Sequence, residues 1–234
     1  MRKFSWVLLV LLVFSVYAED EKLLVVENVE ELKGITAKKI TWKRDGAEMV
    51  SIPASDTTEP FWMDVTEVTV SQFKGFIESS GYKPDDAVPS ELINWNSLAK
   101  YSPTDQHPMI YVSWYDATAY AEWVGKLLPT EAEWVYAARG GLVDKVHPWG
   151  DSVSLAREYA NYKGVGGMDN QDKSTSAVGD FAPNSYGLFD MAGNVSEWCR
   201  NRKVWRGGSW RSRASNLRLA ISTEGDIKMI GSAV

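Results

Sequence analysis

The sequence predicts an α+β fold with much irregular loop structure, on two observations. Between residues 69 and 140, three helix starts and two helix stops are written in capping residues. From Gly140 onward helical periodicity vanishes, Gly and Asn or Asp pairs recur, and only short segments such as GLFDM (187–191) and VWRGGSW (204–210) remain. Helices segregated from loops laid over a small sheet give an α+β architecture.

Residues 1–18 carry Arg2 and Lys3, an apolar run from Phe4 to Phe14, and Val16 and Ala18 at the −3 and −1 positions, the form of a secretory signal peptide. The run is too short for a spanning helix of ~20 residues, and no later segment reaches that length without charges. The mature chain is expected to start near Glu19 and to be exported to the cell surface, the periplasm or the medium, with no transmembrane segment after signal removal. No cysteine follows the apolar run, so lipid attachment there is not available. Losing Arg2 and Lys3 takes the formal charge from −6 to −8, because all 31 acidic residues stay. That acidity argues against nucleic acid as a partner. It is not uniform: Arg200 to Arg218 is a basic stretch.

Residues 19–45 read as an N-terminal extension, with LLVVENV (23–29) and ITWK (40–43) around a polar segment, as an edge hairpin or a poorly ordered tail. A single domain follows over 46–234; 44% hydrophobic content and eleven tryptophans suffice for a substantial core. Thr69 with Gln72, Ser113 with Asp116, and Thr130 with Glu133 have capping-box spacing, which places helices at about 70–79, 114–125 and 131–139. Gly125 and Gly140 stop the last two. Phe73/Phe76/Ile77 and Tyr120/Trp123/Val124 have the i, i+3, i+4 spacing of core stripes. The loops after Gly140 need side-chain partners or ions for their backbone polar groups.

In DMAGNVSEW (190–198), Asp190 and Glu197 offer carboxylates, while Gly193 and Val195 can turn carbonyls toward the same point. Calcium favours such an all-oxygen shell; the alternative is a polar turn held by Arg–carboxylate pairs. His107 and His147 each precede proline and lack a second ligand at metal spacing, so both read as structural, with no zinc or iron site visible and no serine–histidine hydrolase chemistry. Cys199, the only cysteine, reads as a small buried hydrophobe beside Trp198. Trp114, Trp123, Trp134, Trp149, Trp198 and Trp210 read as core or near-core, and Gly207 and Gly208 as a close backbone approach behind Trp210.

GKLLPTEAEWVYAARGG (125–141), HPWGD (147–151), NSYGLFDMAGNVSEW (184–198) and VWRGGSWRSRASNLRLA (204–220), in this order, resemble the formylglycine-generating-enzyme, or sulfatase-modifying-factor, type of C-type lectin fold. The resemblance covers roughly Met49 to Ala220 and is weakest over residues 49–64. It implies a structural calcium ion on Asp190, Gly193, Val195 and Glu197. A second ion site is implied by Asn161 and Tyr162, with acidic partners somewhere in MDNQD (168–172). It also implies that catalysis is missing. The family's enzymes carry two copper-binding cysteines after RGGSW, and Ser212 and Leu217 stand in their places; the usual closing GFR is replaced too. The three-histidine iron site of the related sulfoxide synthases has no counterpart.

What remains is the scaffold with altered residues at 205 and 211–216 between ordinary ones. That alternation resembles the variable proteins of diversity-generating retroelements, the treponemal ones in particular, whose C-terminal region, here about 204–234, is diversified by adenine mutagenesis into a ligand-binding face. An AAY codon can become Arg, Ser or Asn, which fits Arg211, Ser212, Arg213, Ser215 and Asn216; Trp205, Glu224, Lys228 and Met229 need another codon. The expected binding face is Trp205, Arg211, Ser212, Arg213, Ser215, Asn216 and Ile221, with Ala214 and Leu217 holding the loop. The expectation is an exported, non-enzymatic receptor-like protein whose partner is a protein or glycan at the cell exterior. Its alternatives are a noncatalytic domain assembling with envelope or secretion proteins, and a divergent oxidase.

Overall fold

The computed structural model describes residues 23–84, 95–164, 173–201 and 204–224. The expected leader over 1–18 lies outside them. Strands β1 (Leu24–Val26), β2 (Lys39–Trp42), β3 (Glu48–Ile52) and β4 (Phe61–Asp64) form one sheet in that order. β2, β3 and β4 pair antiparallel, but β1 runs parallel to β2. The N-terminal stretch is therefore not the expected hairpin. Asn28 caps a 3₁₀ turn at Val29–Leu32, and the 27–38 connection carries the chain back to re-enter the sheet in the same direction. Parallel neighbours need a crossover of about a dozen residues, and this connection supplies it. Val26, Ile40, Trp42 and Met49 are buried together, so β1 and β2 share a core with the sheet.

The three capping boxes form as the spacing predicts. Helices α1 (Val70–Ser80), α3 (Trp114–Val124) and α4 (Glu131–Arg139) each show both reciprocal bonds and end on a left-handed glycine, Gly81, Gly125 and Gly140. Gly81 was not read from the sequence as a stop, nor were two short helices, α2 (Trp95–Ala99) and α5 (Ala156–Tyr159). Phe73, Phe76, Tyr120 and Val124 occupy the largest core cluster with Trp198 and Trp210, and Ile77 and Trp123 pack on its edge. A second cluster places Trp134 against Leu188 and Cys199. Trp114 and Trp149 are half-buried.

After α4 the chain is mostly loop, as expected. Asn184 shows how such loops are satisfied: its amide donates to the carbonyls of Ala137 (2.8 Å) and Ala138 (3.2 Å), and its Oδ1 accepts from the amides of Tyr186 and Leu188. One side chain thus closes the α4 C-terminus and folds the following turn. A second sheet, β5 (Glu197–Trp198), β6 (Val204–Arg206) and β7 (Thr223–Glu224), is antiparallel and frames the C-terminal loop. Among the described residues no helix is long and apolar enough to cross a membrane.

Candidate functional site

The loop between β6 and β7 is locked at its base. Arg206, which the sequence groups with the basic stretch, is buried: Nη1 donates to the carbonyls of Leu219 (2.9 Å) and Ile221 (3.2 Å), and Nη2 pairs with Glu131. Trp210, Leu217 and Leu219 are buried, and Ala214 is half-buried. Gly208, at φ 78°, passes so close to Leu217 that a Cβ there would stand 3.1 Å from its Cδ2. The loop also hangs on the GNV turn: the Gly193 amide donates to Gly207 O and the Trp210 amide to Asn194 O, both at 2.9 Å.

Arg211, Arg213, Ser215, Asn216 and Ile221 are exposed on this loop. Ser212 differs from the expectation, being half-buried, with Oγ accepting from the Ser209 amide at 3.0 Å. Trp205 differs more. It lies opposite Trp198 in the β5–β6 register, its ring edge-on to that buried indole at 5.0 Å, and it packs against the main core. Directly opposed residues share a face of the sheet, and here that face is the inner one. Beside the loop stand two residues that sequence reasoning missed, Lys100 and Tyr101. The Arg211 guanidinium lies 5.0 Å from the Tyr101 ring centroid and 5.2 Å from that of Trp210. Nothing in the spacing of residues 95–104 signals this meeting; it depends on Thr175, whose amide and hydroxyl both donate to Tyr101 O.

Under the loop lies the expected ion motif. Asp190, Gly193 and Asn194 have φ of 54°, 81° and 48°, which curls the DMAGNV segment tightly. Asp190 and Glu197 are buried. Asp190 Oδ2 accepts from the Gly179 amide (2.7 Å), and Glu197 Oε2 from Trp134 Nε1 (2.6 Å). Glu67, a third buried acid that the sequence did not flag, accepts from Asn194 Nδ2 (2.9 Å) and the Val195 amide (3.2 Å). Among the described residues no Lys or Arg comes within 4.0 Å of these three carboxylates. Burial lifts Asp190 to about 6 and Glu197 to about 8, and raises Glu67 well above the carboxylate range, with Asp190 and Glu197 adding repulsion.

Asp190 Oδ1 is buried without a hydrogen-bond partner. An orphaned carboxylate oxygen among three buried acids fits a hard divalent cation. Among the described residues no cluster of three His, Cys, Asp or Glu side chains is arranged for a metal. Asn161 Oδ1 is likewise buried and unpartnered, while the MDNQD segment expected to complete a second site lies outside the described residues.

The chain matches the sulfatase-modifying factor enzyme 1-like domain over residues 32–234. It belongs to that family. The formylglycine-generating enzyme of Thermomonospora curvata is 36% identical over 67% of this chain and 63% of its own length. The inactive C-alpha-formylglycine-generating enzyme 2 of Bos taurus is 31% identical over 84% of this chain and 81% of its own length. Among solved structures, Treponema denticola variable protein 1 superposes with a TM-score of 0.58 at 19% identity, covering 85% of this chain and all of that one, and at that identity it shows the fold alone. The family thus includes enzymes and an inactive member. The chain spans under two-thirds of the length of the Thermomonospora enzyme.

Ser212 places its hydroxyl in a turn, and Leu217 is buried. Cys199 is fully buried, and burial pushes its thiol up to about 12. His147 is buried and stacked on Trp149 at 4.8 Å, and burial lowers its pKa.

Proposed function

We propose that this chain is an exported, noncatalytic ligand-binding member of the sulfatase-modifying-factor family that presents the 211–216 loop as a variable recognition face. One observation carries the reading: the loop is fixed by Arg206, Trp210, Leu217 and two backbone bonds to the GNV turn, while Arg211, Arg213, Ser215 and Asn216, which carry none of that fixation, project from it. A preorganised loop loses less entropy on binding. Changes at the projecting positions would alter recognition and spare the fold. The likeness to a variable protein and the existence of an inactive relative support the same reading.

Two experiments test it. Supplied with copper, oxygen and a sulfatase-type cysteine peptide, the purified protein is expected to give no formylglycine, because no thiol is accessible to chemistry; product mass above a no-enzyme control would overturn this. Deep sequencing of the coding region's 3′ end from a cultured population should show substitutions at adenines in codons 211–216 and constancy at Arg206, Trp210 and Leu217. A uniform 3′ end, with no reverse transcriptase and no adenine-rich near-copy nearby, contradicts the variable-face reading.

Calcium held by Asp190 and Glu197, with the carbonyls of Gly193 and Val195, would neutralise the buried acids and stiffen the turn from which the loop hangs. Without metal, folded Asp190 and Glu197 keep protons to about pH 6 and 8, whereas the unfolded chain releases them near 3.8 and 4.5. Their contribution to stability is thus complete below those unfolded values and is lost as pH rises through 6 and 8. Chelated protein should therefore melt progressively lower between pH 5 and 8, with the gain from added calcium widening over the same range. A calcium-independent melting temperature at pH 8, with no metal by elemental analysis, would refute the site. Glu197→Ala should abolish the calcium shift.

A further inference from the structure

Most of the lysines that lie close to an acid hold it: Lys33, Lys39, Lys43, Lys74, Lys126 and Lys145 each pair with a carboxylate. Lys100, Lys163, Arg211 and Arg213 do not. All four are exposed, and among the described residues no carboxylate lies within 4.0 Å of any of them. They are also neighbours. The Lys163 amide donates to Ser212 O at 2.9 Å, and Lys100 Nζ stands 5.0 Å from the centroid of the ring on which Arg211 also rests. Among the described residues, an acidic protein thus places four cations without a carboxylate partner on or beside one loop.

The arrangement is ordered as well as charged. The Tyr101 and Trp210 rings are 6.0 Å apart and tilted by 34°, and the Arg211 guanidinium lies over both. A guanidinium seated on aromatic faces loses rotamer freedom before any ligand arrives, while its N–H fork stays able to take a carboxylate in two parallel bonds. Lys100, by hydrogen bond and charge, and Arg211 after it hold the Tyr101 phenol below its ordinary pKa.

We infer that this face binds an acidic, Asp/Glu-rich peptide segment of a partner protein, with Arg211 as the anchor and Lys100, Lys163 and Arg213 as the surrounding charge. The inference rests on the binding-face reading above and assigns its ligand chemistry. A polypeptide partner is favoured by the rest of the surface. Tyr101, Ser215 and Asn216 stand beside the cations, and an aromatic ring with short hydroxyl and amide side chains is the composition of protein-binding paratopes, where they meet peptide amides between the charged contacts.

The test is a fluorescence-anisotropy titration of the mature protein with labelled oligo-glutamate and oligo-glutamine, with unlabelled dextran sulfate as a competing polyanion. Oligo-glutamate should bind, more weakly as salt rises, and oligo-glutamine should not. Arg211→Gln should weaken binding about tenfold, as loss of a bidentate charged contact does. Lys100→Gln should weaken it less, and Lys39→Gln, in the four-stranded sheet, not at all. Failure of oligo-glutamate to bind, indifference to Arg211→Gln, or stronger binding of dextran sulfate through the same residues would overturn the inference. Panning a random peptide library separates the two readings. Non-acidic binders that are lost with Ser215→Ala or Asn216→Ala overturn the acidic ligand alone; no binder sensitive to any loop substitution overturns the binding face with it.

Discussion

Gly193→Ala is expected to abolish soluble, folded protein, while Gly34→Ala leaves it folded. Both glycines have left-handed backbones, φ 81° and 82°. An alanine in that region costs ~1–3 kcal/mol in strain. At Gly34 that is the whole effect, because nothing lies within 4 Å of the new Cβ. At Gly193 the Cβ would fall 2.2 Å from Asn161 O and 3.0 Å from its carbonyl carbon, deep in the molecule. That carbonyl cannot step aside: it accepts from the Asn194 amide, and Asn161 is itself fully buried, with its side-chain amide held by Ser174 O and Ser176 Oγ. Domains of this size are stable by only ~5–15 kcal/mol, and separating two backbones in the core would exhaust most of it. Soluble yield and thermal melting of both variants check the contrast. A Gly193→Ala protein melting within a few degrees of the parent would show that the GNV turn is not the rigid support described.

The elements that local chemistry dictates were legible in the sequence. A capping box needs only two residues three apart, so all three long helices could be placed almost to the residue, and their stripes of Phe73, Phe76, Tyr120 and Val124 do enter the core. The family motifs brought out Trp134, Trp198 and Trp210 as core, and the ion motif as a buried acidic turn. What depends on distant partners was not legible. LLVVENV looks the same in a hairpin and in a parallel edge strand; the 3₁₀ turn at Val29–Leu32 decides between them. Trp205 sits among variable positions, yet the β5–β6 register turns it onto Trp198. Arg206 has the composition of a basic surface and the role of a buried clamp, because its partners are the carbonyls of Leu219 and Ile221, more than ten residues away. Tyr101 joins the face, and Glu67 the acid cluster, only through tertiary contacts.

The separability of fold and face is the claim on which the functional reading stands. Trp210 is 5% exposed and belongs to the main core with Trp198 and Phe73, with Tyr101 at 6.0 Å. Trp210→Ala should therefore cost ~3–5 kcal/mol, the usual penalty for emptying a buried aromatic site. Arg211, Arg213, Ser215 and Asn216 are exposed, and exposed substitutions usually stay within ~0.5 kcal/mol each. The measurement that decides is a pair of thermal melts, one of the Trp210→Ala protein and one of the variant with Arg211, Arg213, Ser215 and Asn216 all changed to alanine. A quadruple variant melting within a few degrees of the parent, beside a severely destabilised Trp210→Ala, is the expected result. A quadruple variant as unstable as Trp210→Ala would show that these residues hold the fold together, and the display reading would be wrong.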